Sequence, residues 1–172
     1  RVVHVLGLMT DLGLDVFRFS VEWWRVEPER DQVDMSALMH YSDQLDAMKA
    51  AGIRPMITVH HFSSPMWVDN FLREAGCEEE DEPPDTALCG WDHPKGAALI
   101  IEELAEHAAL LARTYGDRVD EWCTINEPIN YIFASYGCTV FPPAKNLAIL
   151  NPTGLVDSLR NYVRAHVAIY RA

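Results

Sequence analysis

Apolar residues recur along this chain with two alternating spacings. Leu38, Tyr41, Leu45 and Met48 fall three or four residues apart, which predicts one buried helix face over 36–51, ended at Gly52. Ala97, Ile100, Ile101, Leu104, Ala108, Leu111 and Tyr115 repeat that spacing between Pro94 and Gly116. The proline suits a first helical turn, where its missing N–H costs nothing. A third run of Leu155, Leu159, Tyr162, Val163, His166 and Ile169 follows an Asn151-Pro152 cap, and Val2 to Leu12 reads as the tail of a fourth helix. Between these lie Val16 to Glu22, Pro55 to His60 and Val119 to Asn126, short and almost continuously apolar. That is the pattern of parallel strands covered by helices.

Each strand follows a helix closed by a glycine: Gly13, Gly52 and Gly116, 39 and 64 residues apart. Strand–helix alternation predicts a parallel α/β sheet, and right-handed crossovers leave a doubly wound sheet or a barrel. The polar residues choose between them. They gather at the C-terminal ends of the strands: Arg18, Ser20 and Glu22, then His60 and His61, then Asn126 and Glu127. No Gly-rich phosphate loop follows any strand, whereas chemistry shared among several strand ends is the habit of a (β/α)8 barrel. At 172 residues the chain is shorter than the roughly 250 a closed barrel uses, so a partial TIM barrel is expected.

Charge narrows the picture further. Fourteen Lys and Arg stand against 26 Asp and Glu, a net −12, and eight of the acidic residues lie between Glu74 and Pro94. That stretch, 74–94, reads as a solvated loop inserted into the domain; the alternation of a calcium-binding loop is missing from it. Dispersed basic residues argue against nucleic acid, and the lack of a long apolar run argues against a membrane span. The chain opens without a charged n-region and apolar h-region, so no signal peptide is visible and a cytoplasmic location is expected. Cys77, Cys89, Cys123 and Cys138 form no C-x-x-C pair and read as isolated thiols, although Cys77 and Cys89 are spaced to close the acidic loop. The histidines form no ligand motif, so no metal and no cofactor is expected.

The sharpest local feature is Thr124-Ile125-Asn126-Glu127-Pro128. A carboxylate at a strand end, beside an amide and locked by proline, suits proton transfer in a cleft; equally, Glu127 caps a loop or pairs with an arginine. Together with Phe17-Arg18-Phe19-Ser20-Val21-Glu22-Trp23-Trp24-Arg25 and Thr58-Val59-His60-His61-Phe62-Ser63-Ser64-Pro65, this segment resembles glycoside hydrolase family 1. Ala51-Gly52-Ile53-Arg54-Pro55, Tyr115-Gly116-Asp117-Arg118-Val119, Ser135-Tyr136-Gly137 and Arg164-Ala165-His166 extend the resemblance over nearly the whole chain.

The resemblance implies strands two to four of a retaining β-glycosidase barrel, acting on a β-glycoside or oligosaccharide. It implies that Glu127 is the general acid/base, that Asn126 binds the sugar 2-hydroxyl, that His61 bonds the sugar, and that Arg18 lies on the pocket floor and orients the nucleophile. His60 is expected to pack outside the pocket. Arg18 is alternatively a buried ion pair that holds the barrel together. The chain departs from the family pattern at Phe62, where tryptophan is usual, at Ser63-Ser64, where Asp-Leu is usual, and at Glu22 and Trp24. Trp23, Trp67, Trp91 and Trp122 are candidates either for sugar stacking or for core packing. The nucleophile of the family lies in a Glu-Asn-Gly motif that this chain lacks. The expectation is therefore a segment that holds the acid/base, lacks the nucleophile and has no appreciable hydrolase activity alone. A catalytically inactive barrel that binds carbohydrate or a partner, and a related retaining family, are the competing readings.

Overall fold

A computed structural model describes residues 2–70, 77, 82–84 and 87–172. Helix α1 (Val2–Asp11) leads into strand β1 (Val16–Ser20), and a short α2 (Trp23–Val26) precedes α3 (Met35–Ala50). Strand β2 (Arg54–His60) follows, then α4 (Pro94–Tyr115) and β3 (Glu121–Ile125). The chain closes with α5 (Pro128–Ile132), a π-helical turn (Phe133–Gly137), α6 (Leu147–Leu150) and α7 (Pro152–Arg171).

Local chemistry sets the helix limits. Asp34 caps α3, its Oδ1 accepting from the N–H of Ser36 at 2.8 Å and of Ala37 at 3.3 Å. His93 Nδ1 accepts from Gly96 N at 2.9 Å ahead of α4, and Asn151 Oδ1 accepts from Gly154 N at 3.0 Å ahead of α7. At the other ends, Gly13 and Gly52 take φ of +71° and +72°, the left-handed turn a β-carbon disfavours. Gly116 does not follow them. Its φ is −62°, and what excludes a side chain there is the Ala112 carbonyl, 2.5 Å from where a β-carbon would sit.

The three strands are parallel and lie in the order β1-β2-β3. Sequential parallel order is the arrangement of a barrel wall, and three strands of one half of a doubly wound sheet share it. Val16 pairs with Arg54 and Ser20 with Thr58 across β1 and β2; Met56 pairs with Glu121 and His60 with Ile125 across β2 and β3. Phe17 and Phe19 of β1 turn to the helices, against Met48 and Ile53, while Arg18 between them stays exposed on the other face. Among the described residues, no helix is long and apolar enough to cross a membrane.

Large aromatics fill the space between sheet and helices. Trp23, Trp91, Tyr115, Tyr136 and Tyr162 are all fully buried. Trp23 meets Trp67 edge-on at 5.2 Å, and Tyr162 meets Trp91 and Tyr131 at 5.1 and 5.0 Å. Trp23, Trp67 and Trp91 are therefore core, and Trp122 packs against the same cluster with its indole N–H on Val119 O. None of the four stands open as a stacking surface.

The acidic residues 78–81 lie outside the described residues, but Cys77 and Cys89 do not. They are joined as a disulfide with Cα atoms 5.4 Å apart, which corrects the expectation of isolated thiols. Their spacing of 12 residues allowed this loop closure, and the fold brings the two within bridging reach. Beside Cys89, the ammonium of Lys145 donates to the Cys89 carbonyl at 3.2 Å and to Asp92 at 2.7 Å, and lies 3.8 Å from Asp69. Tyr136 of the π-helical turn donates to Asp69 at 2.5 Å, so the segment after β2 is laced to the segment after β3.

Two buried histidines sit in this core. His60 shares a proton with Tyr162 Oη at 2.7 Å and with Ser64 Oγ at 3.0 Å; His107 lies 3.1 Å from Glu27. Burial pushes His60 down to about 3, with the charges of His107 and His61 acting the same way. Burial also lowers His107, outweighing the opposing pull of Glu27. The unfolded chain therefore binds more protons than the folded one at mildly acidic pH. Stability is full above about 6.5, the ordinary histidine value, and drains away as pH falls toward about 3. Urea titrations at pH 7.5 and 5 are expected to show a loss of about 2 kcal/mol from His60. His60→Asn should flatten that difference, although it lowers stability at both pH values.

Candidate active site

Every polar group singled out at a strand end comes to the same end of the sheet. Arg18 projects from β1 onto the face opposite the helices. Its Nε donates to Thr58 Oγ1 on β2 at 2.8 Å, and its Nη2 donates to Asn126 Oδ1 just beyond β3. These partners are neutral, and among the described residues Arg18 forms no ion pair. Asn126 continues the sheet, its backbone N–H meeting the His60 carbonyl at 3.0 Å, and its side chain is buried. Because a guanidinium only donates, the Asn126 oxygen must face Arg18, and the amide NH2 is left to donate elsewhere.

Glu127 follows directly. It is exposed, and its backbone is left-handed at φ +38° and ψ +65°, an uncommon conformation for a residue with a β-carbon. Pro128 opens α5 immediately afterward, and the Glu127 carbonyl takes the Tyr131 N–H at 3.0 Å. Asn130 Nδ2 donates to Glu127 Oε2 at 2.9 Å, which leaves the other carboxylate oxygen unclaimed by that bond. The carboxylate does not cap the helix that follows it. Strain at one residue, held by a helix start on one side and a paired strand on the other, aims a carboxyl outward.

On the neighbouring strand, His61 is exposed just past the end of β2. Its Nδ1 meets Ser20 Oγ at 2.7 Å, so Nε2 is the ring nitrogen turned outward. His60 points the other way, into the aromatic core, as expected of it. Three groups the sequence reading did not assign support the site. Thr58 receives Arg18, Ser20 orients His61, and Ser63 donates to Glu22. Each is a small hydroxyl residue whose role depends on a partner tens of residues away, which the local sequence does not reveal.

The chemistry lies on an open face. A polar recess of about 360 Å³ opens at the opposite end of the strands, among Lys49, Arg54, Asp117, Arg118 and Glu121, and contains none of these groups. Far from the site, Asp31, Glu103 and Glu106 approach one another, but Arg30 Nε already contacts Glu103 at 2.6 Å and supplies the counter-charge. What the strand ends present together is an exposed carboxyl, an amide NH2, an imidazole nitrogen and a guanidinium.

Comparison with known proteins adds an independent line. The family model described as Glycosyl hydrolase family 1 matches residues 1–170. The coniferin beta-glucosidase of Pinus contorta is 32% identical over 171 residues, covering 96% of this chain and 29% of that protein. Beta-glucosidase 6 of Oryza sativa subsp. japonica is 29% identical over 152 residues, covering 88% of this chain and 25% of that one. Among solved structures, the rice Os3BGlu6 beta-glucosidase superposes with a TM-score of 0.77 at 27% identity, over 98% of this chain and 34% of that one. Fpglu1 from Fervidobacterium pennivoraus gives 0.80 at 26%, over 99% and 37%. The chain thus spans less than a third of the curated relatives it matches. The parallel sheet is a partial α/β barrel of the kind these structures share.

The strain at Glu127 is separable from its chemistry. Asparagine tolerates the left-handed region better than glutamate, so Glu127→Asn should raise the urea midpoint, with a gain in unfolding free energy of up to about 1 kcal/mol. An unchanged or lowered midpoint, measured with the backbone φ confirmed, would show that the conformation is not under strain.

Proposed function

Because the chain belongs to glycosyl hydrolase family 1, we propose that the protein carrying it is a retaining β-glycosidase, β-glucosidase-like in substrate, with Glu127 as its general acid/base. The observation that carries this reading is the Arg18–Asn126–Glu127 arrangement, in which a bridging guanidinium fixes the amide next to an exposed carboxyl at a barrel strand end.

In this reading, Glu127 protonates the glycosidic oxygen as the bond breaks and later takes a proton from water. Asn126, with its oxygen held by Arg18, donates its NH2 to the sugar 2-hydroxyl, a contact that tightens as the ring gains oxocarbenium character. His61, its Nδ1 committed to Ser20, offers Nε2 to a sugar hydroxyl. Arg18 retains further donors on the same face and can orient a second carboxylate.

A retaining mechanism needs that second carboxylate about 5–5.5 Å from the first. The strand-end carboxylates here are otherwise engaged: Glu22 accepts from Ser63 and Trp24, and Glu121 pairs with Arg54 at 2.9 Å at the far end of its strand. The nucleophile is accordingly assigned to a part of the protein beyond these 172 residues, and this segment alone is expected to show no turnover.

Aryl β-glucosides of graded leaving-group ability test the assignment in the whole protein. Glu127→Gln should lower kcat/KM for poor leaving groups by about 10²–10⁴-fold, and much less for good ones that depart without a proton. Full activity of Glu127→Gln on poor leaving groups would end the reading. An inert wild type would favour a barrel that binds carbohydrate without cleaving it.

A further inference from the structure

Two side-chain bridges join the ends of β1 and β2, and they alternate along both chains. Ser20 meets His61, and two residues further on each side, Glu22 meets Ser63. Between His61 and Ser63 stands Phe62, with φ +69°, a conformation unfavourable for a bulky aromatic. Its ring stacks on Tyr131 at 5.7 Å and 11°. Tyr131 is in turn bonded through its backbone N–H to the Glu127 carbonyl. Such a conformation persists only where its surroundings over-determine it. The surroundings here are the two bridges, the stacked Tyr131 ring and Phe141, whose ring tilts against Phe62 at 5.9 Å.

The Glu22 end is itself well anchored. Its Oε2 also accepts from the indole N–H of Trp24 at 3.2 Å, and its backbone N–H donates to Tyr41 Oη at 3.1 Å. The half-buried carboxylate is thus a fixed acceptor, and charge-assisted bonds to it are stronger than neutral ones. We propose that Glu22 is a positioning residue: by holding Ser63 it keeps Phe62 in its left-handed turn and thereby aims His61 at the substrate. The proposal rests on the glycosidase reading of the site and adds a residue to it that touches no substrate.

The Glu22–Ser63 bridge needs one carboxylate and one hydroxyl, from either side. Glu22→Ser removes the acceptor, Ser63→Glu alone sets two carboxylates together, and the exchange Glu22→Ser with Ser63→Glu restores one of each at the same combined length. Glu22→Gln keeps an acceptor oxygen without charge and guards against misfolding. In the whole protein, with p-nitrophenyl β-glucoside as probe, Glu22→Ser should raise KM about tenfold and leave kcat within about threefold, because His61 grips substrate and transition state alike. Glu22→Gln and the exchanged pair should both return KM to within about threefold of wild type. A purely structural bridge would lower the melting temperature of Glu22→Ser without moving KM, and that result overturns the proposal. So does an exchanged pair no better than Glu22→Ser. An inert wild type takes down the glycosidase reading and this one with it, whereas an active wild type with unmoved KM in Glu22→Ser removes only the role of Glu22.

Discussion

Arg18 reaches across all three strands, from β1 to Thr58 on β2 and to Asn126 at the end of β3. A long side chain can do this only if the strands lie parallel, in sequential order and in one register. Because side chains alternate along a strand, a slip of one residue would send Arg18 into the apolar side against the helices and bring Phe17 or Phe19 onto the open face. The hydrophobic packing of those phenylalanines on Met48 and Ile53 therefore sets the register, and the guanidinium reads it out at Asn126. Everything at the candidate site follows from that one constraint, since Glu127 is the next residue.

The opposite side of the sheet supplies the rigidity. His60 and His61 are neighbours with opposite destinations, one bonded to Tyr162 in the core and the other to Ser20 on the surface. The core partner anchors the strand end from which the surface partner projects. Tyr162 belongs to α7 and Trp91 to the segment before α4, so His60 and the segment after β2 both meet the last helix at the same phenol ring. Lys145 ties the loop after the π-helical turn to the same segment by neutralising Asp92 beside Asp69, a partly buried ammonium serving acceptors from the segment after β2.

Much of this was legible in the sequence, for identifiable reasons. The 3.6-residue period of α3, α4 and α7 survives because each buries a single stripe, and their Asp, His-Pro and Asn-Pro starts are local signals. The strands were visible as apolar runs, and Asn126-Glu127-Pro128 is contiguous. What escaped is contact between residues far apart in sequence: Arg18 with Asn126, Ser20 with His61 and Glu22 with Ser63. The left-handed turns at Phe62 and Glu127 escaped for a related reason. Neither residue type announces that conformation, and only tertiary restraint imposes it. Gly116 looked like Gly13 and Gly52 because sequence records that a glycine is present and not which steric demand it meets.

The π-helical turn after α5 has its own consequence. Winding one residue wider, with Cys138 N on Phe133 O, releases the carbonyls of Ala134 and Ser135 from the helical ladder. Those carbonyls take the N–H groups of Val140 and Phe141 and of Lys145, so the following loop docks by its main chain. A loop held by backbone is indifferent to most of its side chains. Val140 is correspondingly exposed, whereas Phe141 tilts against Phe62 at 5.9 Å and Lys145 bonds Asp92, so both tie the loop to the segment after β2. Positions such as Val140 are thus where sequence can drift and surface recognition can diversify, whereas Phe141 against Phe62 and the buried Pro143 are not so free.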